Sequence, residues 1–270
     1  GLGDIPFQII IDVPKRKFTL YQDELAEKPE FIRDNYATLY QVPVTLDLSD
    51  HKLIGIVGGE DLSGAMDIVK SLTAQIAAGN CYTDVKLGFI YDKVSAINVK
   101  EWDYTRWLPH VWSEDKKNRF VASDKTEASD VFYELTKIFR ARQEAQQEYG
   151  KKEIPVPWYI IFISDASLLE GEPFAKYVFE QNDAYRLTTI LLAKRHEELP
   201  NSCEYVIENT SAFSGMYDVF AGNELRQKIV FDTVTRESLE RFARHLSSVK
   251  VLEMERGGEI PASLTFFDML

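Results

Sequence analysis

Four short, mostly apolar runs separated by segments of helical periodicity limit most strongly what this chain can fold into. They are Lys52–Gly59, Asp84–Asp92, Pro157–Asp165 and Thr188–Lys194. Such runs are typical of strands that are covered on both faces, as in a parallel sheet. Their alternation with helices predicts an α/β fold, with a mostly parallel sheet and helices on both of its faces.

The segments between these runs have the apolar spacing of amphipathic helices. The segment Leu62–Asn80 repeats apolar residues at helical spacing and ends in Gly79-Asn80, a common helix terminus. A long helix is predicted to start near Asp124, because Asp124 and Glu127 have the spacing of a capping box. A last helix follows Thr235, and shorter strands are predicted in three further segments. These are Arg119–Ser123, Cys203–Asn209 and Lys228–Asp232.

The N-terminal segment has a different pattern. Phe7–Val13 is rich in β-branched residues and predicts a strand, and the acidic segment Gln22–Asn35 predicts a short helix. Apolar residues alternate from Val42 to Leu48, which predicts a half-buried strand. We therefore predict a β-rich extension over residues 1–50 and a main domain over 51–255, followed by a linker over 256–270.

Composition excludes several classes of protein. The 270 residues include 43 Asp and Glu against 31 Lys and Arg, and the net charge of −12 argues against a general nucleic-acid binder. The apolar share of 45% is enough for a sizeable core. Two cysteines, Cys81 and Cys203, and four scattered histidines give neither a disulfide framework nor metal-ligand spacing. No apolar run approaches the ~18 residues of a membrane span.

The first buried strand leads into a turn and a helix, which is the layout of a phosphate-binding P-loop. Gly59 and Gly64, preceded by Gly58, stand at the glycine positions of that motif, but Ala65 replaces its lysine and Met66 its Ser or Thr. The lysine would offset phosphate charge and the hydroxyl would hold Mg²⁺. Backbone N–H groups and the helix dipole remain to attract an anion, while Glu60 and Asp61 oppose one. From this loop alone, an ordinary strand-to-helix turn is favoured over a phosphate site.

Two other strand ends have polar residues that could face a nucleotide. Asp165 follows four apolar residues, as in a Walker B strand, but the next position is Ala166 instead of a water-activating Glu. Asp165 could equally cap the turn before the next helix, and the sequence does not decide between the two roles. Lys194 or Arg195, after the Thr188–Lys194 run, could approach a phosphate, although solvated loop charges are the default interpretation.

A cluster of tryptophans lies between the second buried strand and the long helix. Trp102, Trp107 and Trp112 surround Pro109. Such clusters usually pack in a core, but in a component of an assembly they can form a contact surface. All three are therefore candidate interface residues.

Two further stretches occur with the Gly-Gly turn and Asp165, namely AAGNCYTDVKLGFIYD and RWLPHVWSEDKKNRFVAS. The combination resembles the EssC/YukB family, the membrane-anchored FtsK/SpoIIIE-type ATPases of type VIIb secretion systems. The resembling part of that family is the degenerate module between the transmembrane helices and the first of three P-loop modules. The resemblance extends from GLGDIPF, similar to the segment that leaves the membrane stalk, to GGEIPASLTFFDML, similar to the connection to the next module.

The resemblance implies a P-loop-like fold and a non-hydrolysing, ATPase-like coupling role in a protein-export motor. It implies stacked hexamers, with neighbouring ATPase modules of the same chain and other secretion membrane components as partners, on the cytoplasmic face of the membrane. No resident cofactor and no metal are then expected. One alternative is a weak ATP- and Mg²⁺-binding module that uses Asp165, with Asp165 as the metal ligand. Another is a partner-binding module that acts through the tryptophan-rich segment.

Overall fold

The computed structural model describes residues 1–7, 24–93, 99–149, 157–220 and 226–251. These parts of the chain form one ten-stranded sheet in the order β2-β1-β10-β9-β8-β3-β7-β6-β4-β5. The strands are β1 Leu2–Pro6, β2 Thr38–Pro43, β3 Leu53–Val57, β4 Val85–Ile90, β5 Val121–Ala122, β6 Trp158–Ile163, β7 Leu187–Ala193, β8 Tyr205–Asn209, β9 Ser214–Asp218 and β10 Gln227–Val230. The strands of the four apolar runs are adjacent in the sheet, as β3, β7, β6 and β4.

The sheet has a parallel half and an antiparallel half. From β8 through β3, β7, β6 and β4 to β5, every neighbouring pair is parallel. On the other side, β8, β9, β10, β1 and β2 pair antiparallel. β8 is the boundary strand, since it lies parallel to β3 and antiparallel to β9. The predicted α/β class is confirmed, and the N-terminal strands extend the same sheet because β1 pairs with β10.

Helices cover both faces of the parallel half, as predicted. The helices are α1 Glu24–Asn35, α2 Ser63–Gly79, α3 Lys125–Tyr149, α4 Ala175–Glu180 and α5 Arg236–Leu246. On one face Phe132 and Phe139 of α3 pack with Tyr177 of α4 in a core that contains fully buried β6 residues. On the other face α2, α5 and the tryptophan-rich segment share a second core with the alternate residues of the same strands. A period of two along each strand therefore divides the apolar residues between two helical layers.

The start of α3 confirms the predicted cap by Asp124, with the return bond of Glu127 made to Ser123, one residue before the position that a standard capping box uses. Asp124 Oδ1 accepts hydrogen bonds from the backbone N–H groups of Thr126 (3.1 Å) and Glu127 (3.0 Å). Glu127 Oε2 accepts in return from the backbone N–H of Ser123 (2.8 Å) and from its hydroxyl. Lys93 also donates to Asp124, at 3.0 Å. The hydrogen bond from the Glu127 backbone, followed by the bond from Lys93, lowers the pKa of the Asp124 carboxyl. The reciprocal pattern satisfies N–H groups that the first helical turn leaves without partners.

The N-terminal predictions need correction. The helix within Gln22–Asn35 is confirmed over the described residues, as α1. The predicted strand Phe7–Val13 and the linker 256–270 lie outside the described residues, except for Phe7, which follows β1. The predicted strand from Val42 to Leu48 is wrong beyond Pro43, where β2 ends. Val44, Leu46 and Leu48 are partly buried against the core of α2 instead, so their alternation reflects packing on a helix and not a β-ladder.

Candidate functional site: a cleft at the carboxyl ends of the parallel strands

A cleft of about 370 Å³ lies at the carboxyl ends of β3, β6 and β7. The turn after β3 contributes Asp61, the end of β6 contributes Ser164 and Asp165, and the end of β7 contributes Lys194. Because parallel strands end at the same edge of a sheet, three segments far apart in sequence meet there. The structure therefore brings together the three strand ends that the sequence pointed to.

The turn between β3 and α2 has the predicted strand-turn-helix form. Gly59 has a φ of +83° and Leu62 a φ of +55°, and α2 begins at Ser63. A Cβ atom built on Gly64 would lie 1.8 Å from the carbonyl oxygen of Asn209 in β8. Asn209 also donates a side-chain hydrogen bond to the Gly64 carbonyl (3.1 Å). The second glycine of the P-loop-like pattern is thus required by close packing of the helix on β8.

The backbone N–H groups of this turn are used by the chain itself. Four of them donate to carbonyl oxygens: Gly58 to Ala193 (3.0 Å), Gly59 to Lys194 (3.2 Å), Leu62 to Gly59 (2.9 Å) and Gly64 to Gly58 (3.2 Å). In a phosphate-binding loop such groups point at the ligand. Here they close the turn on itself and on the end of β7.

The side chain of Asp61 occupies the anion position at the start of α2. Its Oδ1 accepts from the backbone N–H of Ser63 (3.1 Å) and from the Ser63 hydroxyl (2.7 Å). The hydroxyl bond and then the backbone bond lower the pKa of the Asp61 carboxyl. The helix N-terminus favours a negative charge there, and the chain provides its own.

The two residues that depart from the P-loop pattern, Ala65 and Met66, differ in whether they line the cleft. Ala65 is fully buried, with its backbone and Cβ against Gly58. Met66 lines the cleft with an apolar side chain. The position that would provide a Mg²⁺-binding hydroxyl therefore presents a thioether, a poor ligand for this hard cation.

Asp165 performs the capping role that the sequence left open, and it also lines the cleft. Its Oδ1 accepts from the backbone N–H of Ser167 (2.8 Å) at the start of a short 3₁₀-helix, Ala166–Leu169. Its side chain is exposed, beside Ala166. Ser164, immediately before it, has a buried hydroxyl with no hydrogen-bond partner among the described residues. A carboxylate is thus present at the Walker-B-like position, but it is used as a cap.

The basic residues near the cleft have different partners. Arg195 Nε donates to Glu60 Oε1 (2.5 Å), so this arginine pairs with the turn after β3. Lys194 lines the cleft, and its backbone N–H donates to Glu198 Oε2 (2.9 Å).

One lysine of the cleft, Lys70, belongs to no motif that marks it in the sequence. Lys70 of α2 lies 3.1 Å from Asp67 and 3.1 Å from Glu101. Burial lowers the pKa of Lys70, but its hydrogen bonds to Glu101 and Asp67 outweigh burial and leave that pKa raised. Asp67 is in reach by helical spacing, whereas Glu101 is distant in sequence, and only the fold brings it to Lys70. The cleft is net acidic, since two lysines line it with the carboxylates of Asp61, Asp67, Glu101, Asp165 and Glu198.

The tryptophan predictions are partly corrected. Trp102 is only 3% exposed and stacks on Tyr91 with ring centroids 5.0 Å apart, so it is an interior residue and not an interface residue. Trp107 and Trp112 are half-buried, and each is covered on one face by a guanidinium group. Arg244 lies 3.9 Å from the Trp107 ring centroid, and Arg119 lies 4.3 Å from that of Trp112.

Other classes of site have little support in the described residues. No group of three or more His, Cys, Asp or Glu side chains within them is arranged to hold a metal ion. Of the two cysteines, Cys203 is buried, and burial raises the pKa of its thiol to about 12, so it is not a reactive thiolate. In the segments that the structure covers, no helix combines the length and hydropathy of a membrane span.

Comparison with known proteins relates the chain to secretion ATPases. No protein-family profile matches it. It is 24% identical over 273 residues to the ESX secretion system protein EccC of Geobacillus thermodenitrificans, an alignment that covers 100% of this chain. It is 21% identical over 272 residues to the type VII secretion system protein EssC of Staphylococcus aureus, again over 100% of this chain. The chain spans 18% of the length of these curated relatives.

Solved structures give the same relationship at the level of fold. ATPases 2 and 3 of EccC from Thermomonospora curvata, in complex with a signal sequence peptide, align over 77% of this chain and 44% of theirs, with a TM-score of 0.56 at 12% identity. ATPases 2 and 3 of EssC from G. thermodenitrificans align over 83% of this chain and 46% of theirs, with a TM-score of 0.54 at 14% identity. Over its full length this chain is thus homologous to one segment of the EccC/EssC type VII secretion proteins, and its fold is that of their ATPase domains.

Proposed function

We propose that this chain is a non-hydrolysing, ATPase-like coupling module of a type VII secretion motor. The observation that supports this most directly is the turn after β3. It has the position and form of a phosphate loop, but five of its backbone N–H groups donate within the chain, one to Asp61 and four to carbonyl oxygens. The module keeps the architecture of an ATPase domain while its nucleotide chemistry is absent.

The charges of the cleft support the same conclusion. Five carboxylates and two lysines line it, and Lys70 is already paired with two of the carboxylates. A nucleoside triphosphate would therefore enter a net negative cleft without the P-loop lysine or the magnesium-binding hydroxyl. Those groups offset phosphate charge in P-loop ATPases, where catalysis is almost entirely positioning and electrostatics.

The names of the relatives, and the 18% of their length that this chain spans, support a position for the module within a larger protein. We propose that it lies between the membrane stalk and the first P-loop module, with residues 1–50 as the extension from the stalk and 256–270 as the linker. Its partners are then the neighbouring ATPase modules of the same chain and other secretion membrane components, in a hexameric assembly at the cytoplasmic face. Full-length protein recovered in the soluble fraction after cell fractionation, with its upstream region intact, would contradict this placement.

Calorimetric titration of the 270-residue chain with a slowly hydrolysed ATP analogue and Mg²⁺ tests the nucleotide claim. We expect no binding at millimolar concentration. Mg²⁺-dependent binding that is lost in Asp165→Asn and kept in Asp130→Asn, an exposed acid on α3, would instead establish the alternative of a weak ATP-binding module. In that case Asp165 would serve as the metal ligand.

Restoring the missing lysine tests how far the turn has departed from a working P-loop. We expect Ala65→Lys to give no ATPase activity and to lower the free energy of unfolding by more than about 2 kcal/mol, because position 65 is fully buried. Ala78→Lys, at an exposed position of the same helix, should leave stability nearly unchanged. Turnover in Ala65→Lys at the level of active P-loop motors would refute the proposal.

A further inference from the structure

A second cavity, of about 430 Å³, lies near the amino end of β4, whereas the cleft lies at the carboxyl ends of the parallel strands. Lys86, near the start of β4, and Tyr82, just before this strand, form part of its wall. Trp107 and Trp112 line it as well. We call this cavity the basic groove, because five of its lining residues are basic and one is acidic. The basic residues are Lys86, Arg106, Lys116, Arg119 and Lys250, and the acidic residue is Glu114.

This concentration of positive charge stands out on an acidic protein. The chain has a net charge of −12, so a randomly chosen patch of its surface would be expected to contain more acids than bases. Of the basic residues of the groove, Arg106 pairs with Asp103. Arg119 and Lys116, however, have no carboxylate partner among the residues that the structure describes. The groove thus has cationic groups that are not neutralised from within the fold.

Lys86 gives the strongest indication of an anionic ligand. Its side chain is buried, with 2% of the residue exposed. Within the described segments its ammonium group has no hydrogen bond or ion pair, and it lies 5.8 Å from the centroid of the Tyr82 ring. Burial lowers the pKa of this lysine, and the nearby Glu114 charge offsets that effect in part. A buried ammonium group without an ion pair is costly, and an anion bound in the groove would reduce that cost.

The walls of the groove indicate what kind of anion fits. The Arg119 guanidinium lies over the Trp112 ring, with its Cζ 4.3 Å from the ring centroid, and it has no carboxylate partner among the described residues. A guanidinium edge matches a planar carboxylate in geometry. Trp107, Trp112 and Tyr82 add aromatic surface, which favours apolar or aromatic side chains beside the carboxylate. Glu114 on the rim opposes a dianionic phosphate more strongly than a single carboxylate.

From these observations we propose that the basic groove binds an acidic peptide segment of a partner protein, with a carboxylate between Lys86 and Arg119 and an apolar side chain against Trp107 and Trp112. This inference goes beyond the proposed function and does not depend on whether nucleotide binds at the cleft. The groove and the cleft lie at opposite ends of the parallel strands, so each can be tested without altering the other.

Calorimetry with two peptides tests the proposal on the 270-residue chain. The probe is acetyl-Ser-Phe-Glu-Asp-Leu-Glu-Ser-amide, and the matched peptide has Gln, Asn and Gln at the acidic positions. We expect the acidic peptide to bind at least about tenfold more tightly than the amide peptide, because charge-assisted hydrogen bonds are the stronger ones. Added salt should weaken the binding of the acidic peptide. Equal binding of the two peptides, or no binding of either, would overturn the proposal.

Two variants and one matched control locate the binding site. Lys86→Met should weaken binding of the acidic peptide at least about tenfold while the melting temperature stays the same or rises, because an uncompensated buried charge is removed. Arg119→Gln should weaken it about fivefold. The control is Arg226→Gln, because Arg226 lies over Tyr217 in the same way, 4.1 Å from the ring centroid, outside the groove. Its effect should be less than twofold.

Retained binding in both Lys86→Met and Arg119→Gln would overturn the proposal, and Arg119→Gln alone decides it if Lys86→Met fails to fold. Co-sedimentation with phosphatidylcholine vesicles that contain phosphatidylglycerol examines a membrane as the anionic partner. If the protein sediments with these vesicles in a Lys86-dependent way and does not bind the acidic peptide, the ligand of the groove is a lipid surface and the peptide proposal is wrong. Failure of the peptide to bind leaves the coupling function standing, whereas Mg²⁺-dependent nucleotide binding removes the coupling function and leaves the groove untouched.

Discussion

Gly64 shows how a residue that fits a functional pattern can be required for a structural reason. Its place in the P-loop pattern suggests a backbone that approaches a phosphate. In the structure the backbone that approaches it belongs to β8, at Asn209. Glycine spacing alone cannot distinguish these two causes, since both demand the absence of a Cβ atom.

Two glycines of the same helix give a matched test of this explanation. Gly64→Ala should destabilise the protein by more than about 2 kcal/mol, because its Cβ would overlap the Asn209 carbonyl and the strand would have to move. Gly79→Ala should stabilise it by about 0.5 kcal/mol, because a Cβ there meets nothing within 4 Å and alanine favours the helix. Denaturant unfolding measures both values. A neutral Gly64→Ala would show that the packing is looser than described.

His110 should make stability depend on pH. The residue is 2% exposed, its Nε2 lies 3.0 Å from the Asn80 carbonyl, and its Nδ1 has no partner among the described residues. Burial lowers the pKa of His110 from 6.5, although the Asn80 carbonyl opposes that effect. The unfolded chain therefore binds a proton more readily than the folded chain. This contribution to stability is complete above pH 6.5 and is lost as the pH falls towards the folded pKa.

The measurement is the melting temperature between pH 7.5 and pH 5 for the wild type, His110→Gln and the exposed control His245→Gln. Glutamine at position 110 can still donate to the Asn80 carbonyl, but it does not titrate. We expect the decrease in melting temperature on acidification to be smaller in His110→Gln than in the other two proteins. Parallel curves for all three would show that another group causes the acid sensitivity.

At the scale of elements, the cap of α3 was predicted from local sequence, and its contribution to stability can be measured. Asp124→Ala should lower the free energy of unfolding by about 1 kcal/mol, since two backbone N–H groups lose their acceptor. Asp130→Ala, further along the exposed face of the same helix, should have no such cost. Urea unfolding compares them. Equal effects would mean that the contacts at Asp124 add nothing to helix stability.

The elements that could be predicted were those whose signals are local. The apolar runs identified β3, β4, β6 and β7, and the 3.6-residue spacing identified α2 and α3, because burial on one or both faces leaves a periodic trace. Strand β9, Ser214–Asp218, was missed, since SGMYD has little apolar alternation and its pairing is set by β8 and β10. Likewise, no local pattern indicates that Glu101 reaches Lys70, or that Lys86 is buried without an ion pair in the part of the chain that the structure describes. These depend on which strands and loops become neighbours.

At the scale of the whole molecule, the two halves of the sheet should differ in stability. Every residue of β3 is buried between two helical layers, whereas most of β2 is exposed at the end of the antiparallel half. Hydrogen exchange at neutral pH should therefore be at least about a hundredfold slower in residues 53–57 than in residues 38–43. Similar protection of the two strands would indicate that the sheet opens only as one cooperative unit.

The carboxylate of Asp61 determines how the turn after β3 responds to phosphate-containing ligands in solution. Any phosphate group arriving from solution would compete with an anion that is covalently attached two residues from its binding position, and tethering gives such an internal competitor a high effective concentration. A ligand changes a conformational equilibrium only through its different affinity for the two states. Under the proposed function, a change in the cellular concentration of nucleotide would therefore leave the conformation of this turn unchanged. The module would keep one conformation while the active ATPase modules bind and hydrolyse ATP.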